Sequence, residues 1–296
     1  MADENGRFDH LDHAGQATAA IARRPRFAAN LVLGLAIGLA WFVLIAMSAR
    51  NATIAPGTTG PGGQLLQALP VPPLPGFLDR FLQLCLTPAT VDGSLFASFA
   101  ALSAMWFLMS LAMMLPSAAP LVRTYCEIAD TARAKGEPVV HPLVLVAGYL
   151  AVWLGASLGF AGLSLAVQAG SAAVAFAPVQ GIAGAAALLV AGLYQFSGLK
   201  ESCLKKCANP FATLFSRWSV KPSRIFRLGV DQGMWCLGCC WALMLVMFAV
   251  GLMNVFWMAL IALFTLVEKH VPGRLPGRLA GAILLVWAAA LLLISA

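Results

Sequence analysis

Charge is scarce in this chain. Asp, Glu, Lys and Arg together make up only 10% of its 296 residues, against about 25% in an ordinary soluble domain. A soluble globular enzyme is excluded on that ground. Histidine is also scarce, and the four at positions 10, 13, 141 and 270 are too scattered for a polyhistidine centre within one chain. His10 and His13 alternate with Asp9 and Asp12 in a solvated tail, and His141, before Pro142, reads as a loop-edge residue. No GxxxxGK[ST] loop, HExxH pair or GxSxG elbow occurs, so the commonest signatures of nucleotide, zinc-protease and serine-hydrolase chemistry are absent. The apolar runs are continuous rather than alternating, which excludes a membrane β-barrel. No internal repeat is evident. The seven cysteines are odd in number and five fall between 203 and 240, unlike a secreted disulfide framework spaced through loops.

What is abundant is apolar length. Hydrophobic residues make up 60% of the chain, and mean hydropathy is +0.85. A helix needs about 20 apolar residues to cross a bilayer. Runs of that order begin near residues 27, 93, 141, 178, 229, 253 and 277 and predict an all-α, polytopic transmembrane bundle of about seven spans. A polar cytoplasmic tail, 1–26, precedes a single helical domain, 27–296. The first run, 27–48, exceeds the 7–15 residues of a signal-peptide core and is expected to be retained. Gly34 with Gly38, and Gly155 with Gly159, offer faces for close helix packing. Pro116 closes the second apolar run, and the polar segment 123–138 is expected to continue as a helix out of the membrane. The prolines at 70, 72, 73 and 75 preclude a regular helix in the connection 49–93, where 77–86 reads as a short interfacial helix. The basic, aromatic stretch 208–228 reads as another interfacial segment.

The net charge of +7 raises the question of nucleic acid. The basic residues sit in short loops instead, as topology signals do, so no nucleic-acid partner is expected. Of the 19 lysines and arginines, 17 fall on one side of the seven-span scheme, and only Arg50 and Arg80 on the other. The positive-inside rule then puts the N-terminus in the cytoplasm and the C-terminus outside, in a multi-pass inner-membrane protein. The lipid bilayer is one expected partner. A membrane protein partner or a second copy of the chain is another.

Sulfur is the second abundance. Cys236, Cys239 and Cys240 stand at i, i+3 and i+4 in a helical run and point roughly the same way, and Met244 and Met247 continue that side. Cys203 and Cys207 form an i, i+4 pair among Lys200, Lys205 and Lys206, cations that favour a thiolate. Met105, Met109 and Met113 line one face of the second span. Glu268 and His270 end the sixth span on the same side of the membrane, and Asp231 and Gln232 are polar groups near the fifth. The candidate metal ligands are therefore Cys236, Cys239, Cys240, Cys203, Cys207, Met109, Met113, Glu268 and His270. Soft sulfur donors suit copper or zinc. Cysteine and methionine are also good apolar packers. Thiol–disulfide exchange through Cys203/Cys207 and Cys236/Cys239, or a structural or transport subunit of a larger complex, are the alternatives.

Several blocks resemble a bacterial family described as predicted metal-binding integral membrane proteins. They are MWFLMSLAMMLPS (105–117), AGYLAVW (147–153), GLYQFSGLKESCLKKC (192–207), GMWCLGCCWALM (233–244) and MNVFWMALIALFTLVEK (253–269). The resemblance implies metal binding. That family often carries a histidine where this chain has Gln232, which implies an altered ligand if the histidine binds metal.

Overall fold

The computed structural model describes residues 25–54, 95–170, 181–271 and 273–295, with a few isolated positions between 64 and 76. The expectations for the tail before residue 25 and for most of the connection 49–93 lie outside these residues. Nine helices, numbered here in chain order, account for the described fold: α1 Pro25–Ile54, α2 Leu95–Ala134, α3 Pro142–Gly170, α4 Gly181–Tyr194, α5 Gly198–Ala208, α6 Pro210–Arg217, α7 Pro222–Val250, α8 Val255–His270 and α9 Leu275–Ser295. No strand occurs among the described residues.

Five of these helices, α1, α2, α3, α7 and α9, are long and apolar enough to cross a membrane. The other two expected spans are different. The fourth is a bent pair, α4 followed by α5 at 66°. That is far beyond the roughly 20° at which a helix counts as sharply kinked, and the break falls at Gln195–Ser197, where Ser197 caps α5 by accepting from the Lys200 N–H at 3.1 Å. The sixth, α8, has 16 residues, about 24 Å of rise against a hydrocarbon core of about 30 Å. Large apolar side chains remain exposed along the outer helices, among them Leu35 and Leu39 of α1 and Leu279, Ile283 and Val286 of α9, as expected of a lipid-facing surface.

The second span does continue out of its apolar run as a helix: α2 runs for 40 residues, to Ala134, with Pro116 and Pro120 inside it. Proline removes the N–H that would bond the carbonyl four residues back, here that of Ala112, and the indole N–H of Trp41 supplies the bond at 3.0 Å. The glycines that bring helices together are not those expected. Gly34, Gly38, Gly155 and Gly159 have open space where a Cβ would stand. The close approach is between α3 and α7, where a Cβ on Gly148 would lie 2.1 Å from the Phe226 carbonyl oxygen and one on Gly229 would lie 2.1 Å from that of Leu145. Gly229 and Gly233 form the small-xxx-small edge of α7.

α7 is the most buried of the five long helices and α9 the least. α3, α4 and α5 pack on α7, α1 and α3 pack on α2, and α8 lies against α2. The main core contains both the cysteines of α7 and the methionines of α2. A smaller core at the basic end joins Tyr125 of α2 to Leu145, Leu214 and Ile225. Ion pairs Arg26–Glu127 at 3.1 Å and Arg274–Glu201 at 2.7 Å tie helix ends together there.

Candidate metal centre

The site forms where α7 meets the stretch of α2 around Pro116, the end of α5 and the end of α8. The i, i+3, i+4 spacing turns Cys236, Cys239 and Cys240 into the core, and all three are buried. Cys239 and Cys240 donate their thiols to the Cys236 carbonyl, at 3.1 and 2.8 Å. The Cys207 thiol, on the penultimate residue of α5, faces the sulfurs of Cys236 and Cys239. Gln232 holds it there, its amide Nε2 donating to the Cys207 carbonyl at 3.2 Å. The position that carries histidine in the resembling family is thus beside the thiols, and the Gln232 Oε1 has no hydrogen-bond partner among the described residues.

Cys236 is the hub. Its sulfur lies 3.1 Å from the Tyr149 hydroxyl, 3.3 Å from the Lys269 ammonium and 3.9 Å from the Ser117 hydroxyl. An ammonium has donors and no acceptor, so Lys269 can only donate to this sulfur, a geometry suited to a thiolate. Lys269 also donates to Ser117 Oγ at 2.6 Å. Ser117 and Tyr149 both reach the Met114 carbonyl, at 2.7 and 3.0 Å. That carbonyl lies two residues before Pro116. The Met114 side chain completes the group, its Sδ 3.5 Å from the Cys240 sulfur.

The expected ligands divide accordingly. Cys207, Cys236, Cys239 and Cys240 come together. Cys203 is buried on another side of α7, where its sulfur would meet a Cβ on Gly238 at 2.7 Å. Met109 and Met113 are buried in the same core, but the thioether against the thiols is that of Met114. Glu268 turns away and pairs with Lys200 at 2.6 Å, and Lys200 also donates to Gln195. His270 is exposed, its Nδ1 2.8 Å from the Leu266 carbonyl oxygen. The lysines around Cys203 and Cys207 are engaged elsewhere: Lys200 as above, Lys205 with Glu201 at 2.9 Å, and Lys206 over the Trp235 ring at 3.8 Å. The cation at the thiols is Lys269, next in sequence to the expected Glu268. Met114, Ser117, Tyr149 and Lys269 all fall within the blocks that carried the resemblance, and that was the signal that could have found them.

All six described cysteines are free thiols. Among the described residues no group of three or more His, Cys, Asp or Glu side chains is disposed to hold a metal ion. The assembled donors are sulfur alone: thiols from two helices, a thioether from a third, and one adjacent cation. Hard oxygen-seeking ions have no ligand set here, whereas thiolate and thioether suit a soft monovalent ion.

Comparison with known families agrees with this chemistry. Residues 103–291 match the family model PpoB2, described as a copper chaperone. No curated protein and no solved structure matches the chain.

Proposed function

Because the chain belongs to the PpoB2 copper-chaperone family, we propose that it is an integral membrane copper chaperone whose cargo, Cu(I), is held by Cys236 and Cys207 with Cys239, Cys240 and Met114 at hand. The observation that carries this reading is the convergence on α7 of sulfur from two other helices, Cys207 of α5 held by Gln232 and Met114 of α2 against Cys240, with the Lys269 ammonium 3.3 Å from the Cys236 sulfur. Two sulfurs satisfy a linear Cu(I) complex, so a closed cage of three hard or borderline ligands is not required. Two thiolates and Cu(I) carry one net negative charge, and Lys269 offsets it in a setting where an uncompensated charge is costly. Copper rather than zinc fits a donor set that includes a thioether and neither histidine nor carboxylate.

The membrane arrangement is part of the proposal. The chain crosses the inner membrane seven times, with α4–α5 as a broken crossing and α8 as a short one. The N-terminus and the basic end lie in the cytoplasm and the C-terminus outside. The thiols then sit about 10 Å inside the cytoplasmic face, by helix rise from Gly229 to Cys236. X-ray absorption on protein loaded with Cu(I) tests the ligand set. A first shell of sulfur scatterers is expected, and a shell of nitrogen and oxygen alone contradicts it.

A further inference from the structure

Eleven methionines occur in the chain, and nine of them are buried to within 2% in one continuous core. They are not scattered through it. α2 and α7 run antiparallel, and two cross-contacts fix their register. Cys240 Sγ meets Met114 Sδ at 3.5 Å, and eight residues further along both helices the rings of Trp106 and Phe248 lie 5.6 Å apart. In that register Met244 stands level with position 110 of α2 and Met247 level with position 107. Met113, Met109 and Met105 occupy the intervening levels on α2. From Cys240 to Met105 no two successive sulfur levels differ by more than three residues of helix rise, about 4.5 Å. At the far end the series continues into Met253, in the turn after α7, and Met258, one turn into α8. Met47 of α1 belongs to the same level, since its neighbour Ser48 donates to the Met253 carbonyl.

We infer that this thioether ladder is a Cu(I) path leading from the thiol centre to the opposite end of the bundle, so that the protein moves its cargo through the membrane layer as well as holding it. The inference rests on the reading of the thiol centre as a copper site. Thioether sulfur is neutral, polarisable and mobile on three rotatable bonds, and it belongs to the ligand class that selects Cu(I). Transfer proceeds by ligand exchange: a Cu–S bond to the next thioether forms as the bond behind it breaks. Copper stays Cu(I) throughout and no electron changes hands; of the two thiolates left behind, Cys236 keeps Lys269 as its counter-ion and Cys207 takes back from the cytoplasmic side the proton it released on binding copper. A core that needed only apolar volume would be filled equally well by leucine, which gives the test its discriminating power.

Purified full-length protein is reconstituted in sealed vesicles containing trapped bathocuproine disulfonate, and Cu(I) buffered by glutathione is supplied outside. Wild type is expected to colour the lumen faster than protein-free vesicles do. Met109→Leu and Met247→Leu are expected to slow this by about tenfold or more, since even ligand-supporting groups commonly contribute that much in metal sites. Both should keep wild-type thermal stability in detergent, and wild-type Cu(I) affinity there by competition. Leucine variants that pass copper at the wild-type rate, or a wild type no faster than empty vesicles, overturn the ladder while leaving the thiol site standing. A wild type that binds no Cu(I) in detergent overturns the thiol site first and the ladder with it.

Discussion

Gly148→Ala is a one-methyl change with a calculable consequence. The added Cβ would stand 2.1 Å from the Phe226 carbonyl oxygen and 3.0 Å from the Val230 nitrogen. Both are backbone atoms of α7, so no side chain can rotate out of the way. Restoring ordinary contact requires α3 and α7 to part by about 1 Å. Overpacking of this kind costs about 1–3 kcal/mol, opposed by about 1 kcal/mol of better helix propensity. The net effect is expected to be destabilising by up to about 2 kcal/mol. Tyr149, the next residue, would be drawn away with α3, lengthening its 3.1 Å contact with Cys236 Sγ. Gly155→Ala on the same helix meets nothing within 4 Å and should be neutral or stabilising by up to about 1 kcal/mol. Thermal unfolding in detergent, with Cu(I) competition on the same samples, reads both effects. Gly148→Ala should melt earlier and bind copper more weakly, and Gly155→Ala should do neither. Equal behaviour of the two variants would refute the close approach.

Three further outcomes are expected. Lys269→Met removes a charge-assisted bond to Cys236, an interaction worth about 1.5–3 kcal/mol, and should weaken Cu(I) binding about tenfold to a hundredfold in competition assays, whereas Lys269→Arg should retain part of the affinity. Cys203→Ala should leave Cu(I) stoichiometry unchanged, and loss of a bound copper would contradict the placement of Cys203 against Gly238. Glu268→Gln strands the buried Lys200 and should cost about 3–5 kcal/mol of stability, while Lys200→Met combined with Glu268→Leu should recover much of it. A double variant as unstable as the single one would show that the pair does more than neutralise itself.

The helical membrane class was legible because uninterrupted apolar runs have few alternatives. The i, i+3, i+4 cysteines were legible for a similar reason: spacing along one helix fixes which residues share a face. It does not say what that face meets. Glu268 and Lys269 end the same helix at the same depth, yet adjacent positions differ by about 100° around the axis, enough to send Glu268 to Lys200 and Lys269 to Cys236. The same rotation separates Met113 from Met114. Gly34, Gly38, Gly155 and Gly159 have the spacing of packing glycines, but none of the described residues approaches them, whereas Gly148 gains its role from α7. Pro116 shows a related limit: whether a helix runs on through a proline depends on a replacement donor, and Trp41 lies 71 residues from the Ala112 carbonyl it serves.

The most direct test of the account is Cu(I) titration of the purified protein against a chromophoric competitor, comparing wild type with Cys236→Ser and Cys207→Ser. One tightly held Cu(I) per chain in wild type, lost in Cys236→Ser and strongly weakened in Cys207→Ser with folding intact, is the predicted result. A wild type without stoichiometric copper, or serine variants that hold it as tightly, would contradict the central claim.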